Sequence, residues 1–280
     1  MSGVYKVSGA GNDFLALIEP ERDPTAEQVL AWCARGFAFG ADGVFALRRT
    51  GANAVRMDHW NSDGGRVEQC LNGTRCAARL AFDLGWAAET VTIETGAGPV
   101  VGRRAARPGV ATIEVAPPQE GPRAMTLAVG SRKLAGSFAR VGVPHFVIVS
   151  ERSLERAPVA SLGRAIRHHA DFGPGGTNVD WVRFPGPHRM EIRSFERGVE
   201  GETLACGTGV LAAVAAGVAL GRAELPVTAL VLGGFALEVD GETDGARITR
   251  FTLTGDARIV ARIDLAPDAW LPPPTPARWT

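Results

Sequence analysis

Two of the four cysteines in this 280-residue chain stand in matching settings. Cys70-Leu71-Asn72-Gly73 and Cys206-Gly207-Thr208-Gly209 each lead into an alanine-rich apolar segment. Those segments close on Leu84-Gly85 and Leu220-Gly221, at the same offset from their cysteines. They read as two equal helices, each ended by a C-terminal glycine. Asn72 and Thr208 are good N-cap residues, so each cysteine is expected just before a helix start, where unpaired N–H groups and the macrodipole create positive potential. A thiol in that potential ionises below the roughly 8.5 of a free cysteine. The same N–H groups, from Leu71, Asn72, Gly207 and Thr208, can hold a carboxylate. They can also stabilise the charge that develops when the carbon beside that carboxylate loses a proton.

A thiolate opposed to a thiol suits the inversion of a tetrahedral carbon through a planar carbanion: one sulfur takes a proton from one face and the other returns one to the opposite face. Pyridoxal phosphate, the usual cofactor for such chemistry, needs a Schiff-base lysine. The chain has only Lys6 and Lys133, neither in a persuasive motif. A cofactor-free racemase or epimerase of a small-molecule amino acid is therefore expected, provided that Cys70 and Cys206 converge. Cys33 and Cys76 read as buried small apolar residues. Cys70 and Cys76 lack the close ligand spacing of a zinc site, and no metal is expected. Gly9-Ala10-Gly11 lacks the third glycine and following helix of a dinucleotide loop and reads as a turn. Taken alone, His145 and Arg75 read as structural, and Arg197 beside Glu196 as an exposed ion pair.

The elements that must position these residues repeat with them. Alternating, strand-like runs, Val55 to Trp60 and Met190 to Phe195, precede the two cysteine motifs. Ala41-Asp42-Gly43-Val44 lines up with Thr177-Asn178-Val179-Asp180, and Lys6 to Leu15 corresponds more loosely to Arg140 to Val147. A period near 136 residues is too long for a solenoid and predicts two copies of one α+β domain. Further short strands are expected at Thr90 to Glu94, Ala111 to Val115, Leu230 to Leu232 and Phe251 to Leu253. The seam is placed at Pro117 to Pro122, a stretch that continues neither a helix nor a central strand. The expected domains are 1–118 and 119–264, with about 265–280 a candidate for returning to the first, and the ligand is expected in the cleft between them.

Composition narrows the partners. With 45% apolar and 21% charged residues the chain is ordinary globular protein. Thirty basic residues balance thirty acidic ones, so no net field recommends nucleic acid or an anionic membrane as partner. The longest apolar stretches, such as Val210 to Leu220, fall short of the roughly 20 residues that span a bilayer. The segment MSGVYKVSGAGNDF lacks a basic region followed by an apolar run, so a cytosolic protein is expected, and four cysteines make no dense disulfide framework.

The strings KVSGAGNDF, NSDGGRVEQCLNGTRC, GVPHFVI, GTNVDWV and ERGVEGETLACGTG, between Lys6 and about Asp256, closely resemble the diaminopimelate epimerase family. The resemblance implies two similar α/β domains around a central cleft, two catalytic cysteines, no cofactor and a homodimer. Carried over by motif, Cys70 and Cys206 are the acid/base pair. Asn12, Asn61, Asn178, Glu196 and Arg197 line the substrate site, Asn72, Gly207 and Thr208 help bind the reacting carboxylate, and His145 and Glu196 assist thiol ionisation. The implied reaction interconverts LL- and meso-diaminopimelate, a step in lysine biosynthesis. Three positions depart from the commonest family pattern: Leu71 replaces glycine, Val143 replaces asparagine ahead of Pro144-His145, and glutamine is missing near Gly43. They keep open a second enzyme reading, racemisation of another amino acid. A thiol redox protein cycling through a Cys70–Cys206 disulfide and a noncatalytic binding protein are the readings from other classes.

Overall fold

The computed structural model describes residues 3–270. The chain forms two compact units, one containing the residues up to Gly109 together with those from Ala257 on, the other Val110–Asp256.

In unit 1, β1 (Gly3–Gly9) and β2 (Asn12–Ile18) form a hairpin. Its two turn residues, Ala10 and Gly11, have φ of 54° and 91°, the left-handed conformation that lets a two-residue turn follow the strand twist. The Gly9-Ala10-Gly11 string is thus the turn expected of it. Helix α1 (Ala26–Cys33) leads to β3 (Gly43–Gly51), parallel to β2. β3 pairs antiparallel with β4 (Ala54–Asn61), which carries the short β5 (Arg66–Val67). Helix α2 (Leu71–Asp83) crosses to β6 (Thr90–Thr95), parallel to β4, and β7 (Gly98–Arg104) returns beside β6. The outer edge of β1 is covered by a strand from the far end of the chain, β18 (Arg258–Ile263).

Unit 2 repeats this scheme. β9 (Glu120–Val129) and β10 (Arg132–Val141) take the places of β18 and β1, and β11 (Val143–Val149) that of β2. Helix α3 (Val159–Arg167) leads to β12 (Asn178–Gly186), parallel to β11, and β13 (Arg189–Glu196) pairs with β12 and the short β14 (Gly201–Thr203). Helix α4 (Gly207–Ala219) crosses to β15 (Val227–Val231), followed by β16 (Ala236–Asp244) and β17 (Arg247–Asp256). β17 then pairs with β8 (Val110–Val115).

Each unit curls its strands around one helix. α2 packs on β1, β2, β4, β6, β7 and β18, and α4 on β9, β10, β11, β12, β13 and β17. A helix enclosed on so many sides must be slim enough for strands to approach, and where no polar network serves it, as in α4, it must be apolar all round. That requirement explains the alanine-rich segments: every residue of α4 from Gly209 to Gly217 is buried, and all are Gly, Ala, Val or Leu. Each enclosed Val or Leu contributes about 1.5–3 kcal/mol. Both helices end as expected, on Leu84 and Leu220 followed by Gly85 and Gly221 with φ of 70° and 64°.

The unit boundaries differ from the expected 1–118 and 119–264. Val110–Val115 lie opposite Asp256–Phe251 in unit 2, and Val4–Ser8 lie opposite Ile263–Arg258 in unit 1. Pro117 to Pro122 therefore mark only the connection between β8 and β9; prolines break a strand here without ending a folded unit. Residues 265–270 pack on unit 1, where Leu265 joins the cluster around Val29 and Trp32, and Trp32 Nε1 donates to Ala269 O at 2.6 Å. The remainder of the expected returning segment, 271–280, lies outside the described residues.

Candidate active site

The cysteines themselves cap the two central helices. Cys70 (φ −136°, ψ 109°) precedes Leu71, the first helical residue of α2, and Cys206 (φ −112°, ψ 105°) precedes Gly207 in α4. Asn72 and Thr208 are thus not the N-caps expected, because each helix begins two residues earlier and neither cap position makes a side-chain cap bond. Their polar groups turn to other partners.

In unit 1, Arg75 Nη2 donates to Asn72 Oδ1 at 2.7 Å, Asn72 Nδ2 donates to Asn12 Oδ1 at 2.5 Å, and Asn12 Nδ2 donates to Asp42 Oδ2 at 3.2 Å. This line fixes the facing of both amides, since each oxygen is already committed as an acceptor. Asn12 reaches it from the β1–β2 turn and Asn72 from the first turn of α2. The close crossing depends on Gly9, where a Cβ would stand 2.8 Å from Asn72 O. Cys70 is half-buried and Leu71 buried. Asn61 ends β4, is exposed and is not a member of the line.

In unit 2, Cys206 is buried, with its Sγ 3.5 Å from Thr208 Oγ1 and 4.0 Å from Asn178 Nδ2. The Glu196 carboxylate acts on the thiol electrostatically and accepts from Thr203 Oγ1. Asn178 Oδ1 accepts the Arg197 N–H at 2.8 Å. Thr208 and Asn178 thereby lie beside the sulfur, Gly207 follows it in the chain, Glu196 acts on it electrostatically, and Arg197 is tied in only through its backbone N–H on Asn178. His145, on β11, places Nδ1 2.7 Å from Asp180 Oδ2, both side chains fully buried.

Electrostatics at Cys206 run opposite to the expected easy ionisation. Burial pushes its thiol well above the ordinary cysteine range, and the Glu196 and Asp180 carboxylates add to the rise, outweighing the contact with Thr208 Oγ1. Burial also raises the Glu196 carboxyl, against the bond from Thr203. The surroundings of Cys206 thus favour its thiol over its thiolate.

Sequence reasoning assigned no role to Asp42, Asp180, Ser194 or Thr203, and left Arg75 structural although it holds Asn72. For Ser194 a signal existed: it shares a period of two with Met190 and Ile192, which places it on the inward face of β13. Leu71 is buried at the first helical position, and Val143 opens β11 half-buried.

Comparison with known proteins adds one decisive match. The family described as diaminopimelate epimerase matches residues 4–105 and again 137–260, so both halves of the repeat are covered. The chain belongs to the diaminopimelate epimerase family. The diaminopimelate epimerase of Aquifex aeolicus is 35% identical over 255 residues, covering 86% of this chain and 90% of the relative. That of Gemmatimonas aurantiaca is 35% identical over 279 residues, covering 93% and 98%, and that of Methanothrix thermoacetophila 38% identical over 243, covering 82% and 85%. Among solved structures, a hydroxyproline epimerase from Agrobacterium vitis shares the fold at a TM-score of 0.69 and 17% identity, covering 97% of this chain and 92% of that one. A phenazine biosynthesis PhzC/PhzF protein from Clostridium difficile does so at 0.71 and 11%, covering 95% and 100%. The diaminopimelate epimerase family thus supplies the two-domain α+β architecture and the class of enzyme, an isomerase.

Proposed function

We propose that this protein is a cofactor-independent diaminopimelate epimerase that interconverts the LL and meso forms with Cys70 and Cys206 as its acid/base pair. The observation that carries the reading is the duplicated cysteine cap. Each half of a chain matched twice by one family begins its central helix with a cysteine, where helix N–H groups lie beside a sulfur. In one direction a thiolate takes the α-proton, so that the C–H bond breaks and an S–H bond forms. The carbanion is held by its own carboxylate against N–H donors such as those of Leu71, Asn72, Gly207 and Thr208. The other thiol then delivers its proton to the opposite face and is left as the thiolate. The reading requires the two sulfurs to reach opposite faces of one α-carbon.

Asn12, Asn61, Asn178, Glu196 and Arg197 are proposed to hold the remainder of the substrate, and His145 and Glu196 to assist thiol ionisation. Lysine chemistry is poorly supported: Lys6 Nζ is engaged by Asp13 and the Gly40 carbonyl, and Lys133 lies near the β9–β10 turn. By family resemblance the proposed enzyme works as a homodimer. Leu71 and Val143 support a second reading, the same chemistry on another amino acid.

Incubation with diaminopimelate in deuterium oxide tests both substrate and mechanism. Deuterium is expected at the α-carbon together with epimer formation, and Cys70→Ala and Cys206→Ala are each expected to abolish net epimerisation. Normal turnover by either variant, or turnover of another amino acid alone in a substrate panel, defeats the first reading.

A further inference from the structure

Three strands of unit 2 bring a buried polar chain to the start of α4. His145 Nδ1 on β11 lies 2.7 Å from Asp180 Oδ2 on β12, and Ser194 Oγ on β13 donates to Asp180 Oδ1 at 2.6 Å. Strand register identifies what unit 1 has in the same places, and it shifts the sequence alignment of Ala41–Val44 with Thr177–Asp180 by one residue, so that Gly43 and not Asp42 matches Asn178. Phe14 lies opposite Gly43 across β2 and β3 as His145 lies opposite Asn178 across β11 and β12. Phe45 lies opposite His59 across β3 and β4 as Asp180 lies opposite Ser194 across β12 and β13. The counterparts of His145, Asp180 and Ser194 are therefore Phe14, Phe45 and His59. There the rings form a dry core, with Phe14 6.1 Å from Phe45 and 5.6 Å from His59 between centroids.

One strand scheme is thus built once with aromatic rings and once with a carboxylate, an imidazole and a hydroxyl. Burying the Asp180 carboxylate costs desolvation that Phe45 in its place avoids. The scheme itself does not require it, as the aromatic half shows. The start of α4 is shaped around it: a Cβ on Gly209 would stand 2.5 Å from Asp180 Oδ1.

We propose that Asp180, steadied by Ser194, is a positioning residue that fixes His145 as the Nδ1–H tautomer and keeps its Nε2 as a bare acceptor for a proton from a reacting thiol. The inference rests on the epimerase reading, in which His145 assists thiol ionisation. An ionised carboxylate only accepts hydrogen bonds, and Ser194 fills Oδ1, so Oδ2 takes the Nδ1 proton and a neutral ring has none left for Nε2. Nε2 is buried and without a hydrogen-bond partner, so its acceptor capacity is unused, at a cost in desolvation. The other titratable groups gathered here are Glu196 on β13 and Cys206 at the head of α4, which interact electrostatically. In the step, the S–H bond breaks and the Nε2–H bond forms, leaving a thiolate and an imidazolium whose charge Asp180 balances.

The test uses the 15N-labelled full chain, with the His145 signals assigned by comparison with His145→Gln. The wild type is expected to show a protonated Nδ1 and a bare Nε2. Asp180→Asn is expected to mix the tautomers and to lower kcat roughly 10- to 100-fold with KM within about threefold, a fraction of the 10²–10⁴ that a full acid/base group supplies; Ser194→Ala should lie between. An Nε2–H tautomer in the wild type overturns the proposal, as does Asp180→Asn with wild-type kcat or with a change confined to KM. Should Asp180→Asn not fold, the wild-type spectrum decides alone. If the wild type exchanges no deuterium into diaminopimelate, the substrate reading fails while the spectrum still judges the tautomer.

Discussion

At the scale of single residues, burial decides the charge states of this protein more than local sequence does. His59 is enclosed, neither ring nitrogen has a hydrogen-bond partner, and burial lowers its pKa to about 4 from the ordinary 6.5. The folded state therefore resists a proton that the unfolded chain binds. Stability from this group is complete above pH 6.5 and is lost as pH falls from 6.5 through 4, by about 3 kcal/mol in all. Urea denaturation across that range should show the wild type losing about that much more stability than His59→Leu, and parallel curves for the two proteins would refute the assignment. Cys206 follows the same logic in the opposite direction. Its place at a helix start was legible from Gly-Thr-Gly and the apolar run behind it. Its raised pKa was not, because that depends first on burial beneath the surrounding strands and then on the Glu196 and Asp180 carboxylates, whose placement beside the thiol is set by tertiary packing.

At the scale of elements, what the sequence disclosed was whatever repeats: the two 13-residue helices with their closing glycines, the strands at Val55 to Trp60 and Met190 to Phe195, and the turn at Gly9-Ala10-Gly11. What it hid was contact between elements, such as Asn72 on α2 holding Asn12 on β2, or Asp180 reaching Gly209. Gly209 tests such a contact with a definite sign. Inside a helix, Gly to Ala ordinarily stabilises by about 1 kcal/mol. Here the added methyl would lie 2.5 Å from Asp180 Oδ1 and 3.3 Å from Cys206 Cβ. The carboxylate is fully buried and tied to His145 and Ser194, so it has nowhere to swing. Gly209→Ala is expected to destabilise by about 1–3 kcal/mol, the usual cost of overpacking, and to lower kcat. A variant as stable as the wild type in thermal denaturation would show that the close approach carries no constraint.

At the scale of the whole chain, the two copies of the domain are not two consecutive lengths of sequence. The strand that would close the first copy, β8, completes unit 2, and the last strand, β18, closes unit 1. A proline-rich seam is visible in a sequence, whereas an exchange of strands is fixed only by which ladder each strand joins, so the domain limits were the least legible feature of the fold. The exchange makes the two units unequal in their dependence on the C-terminus. Val110–Asp256 is one continuous segment containing all of unit 2, while unit 1 needs residues beyond it. A chain ending at Asp256 exposes the outer edge of β1 and removes one of the strands packed on α2. Amide exchange followed by mass spectrometry should then show β1 and α2 losing protection while α4 and β10 keep theirs, because local stability follows the contacts of each cooperative segment. Equal loss in both units would mean that the chain unfolds as one cooperative body, and undiminished protection of α2 would mean that β18 is dispensable to the unit it closes.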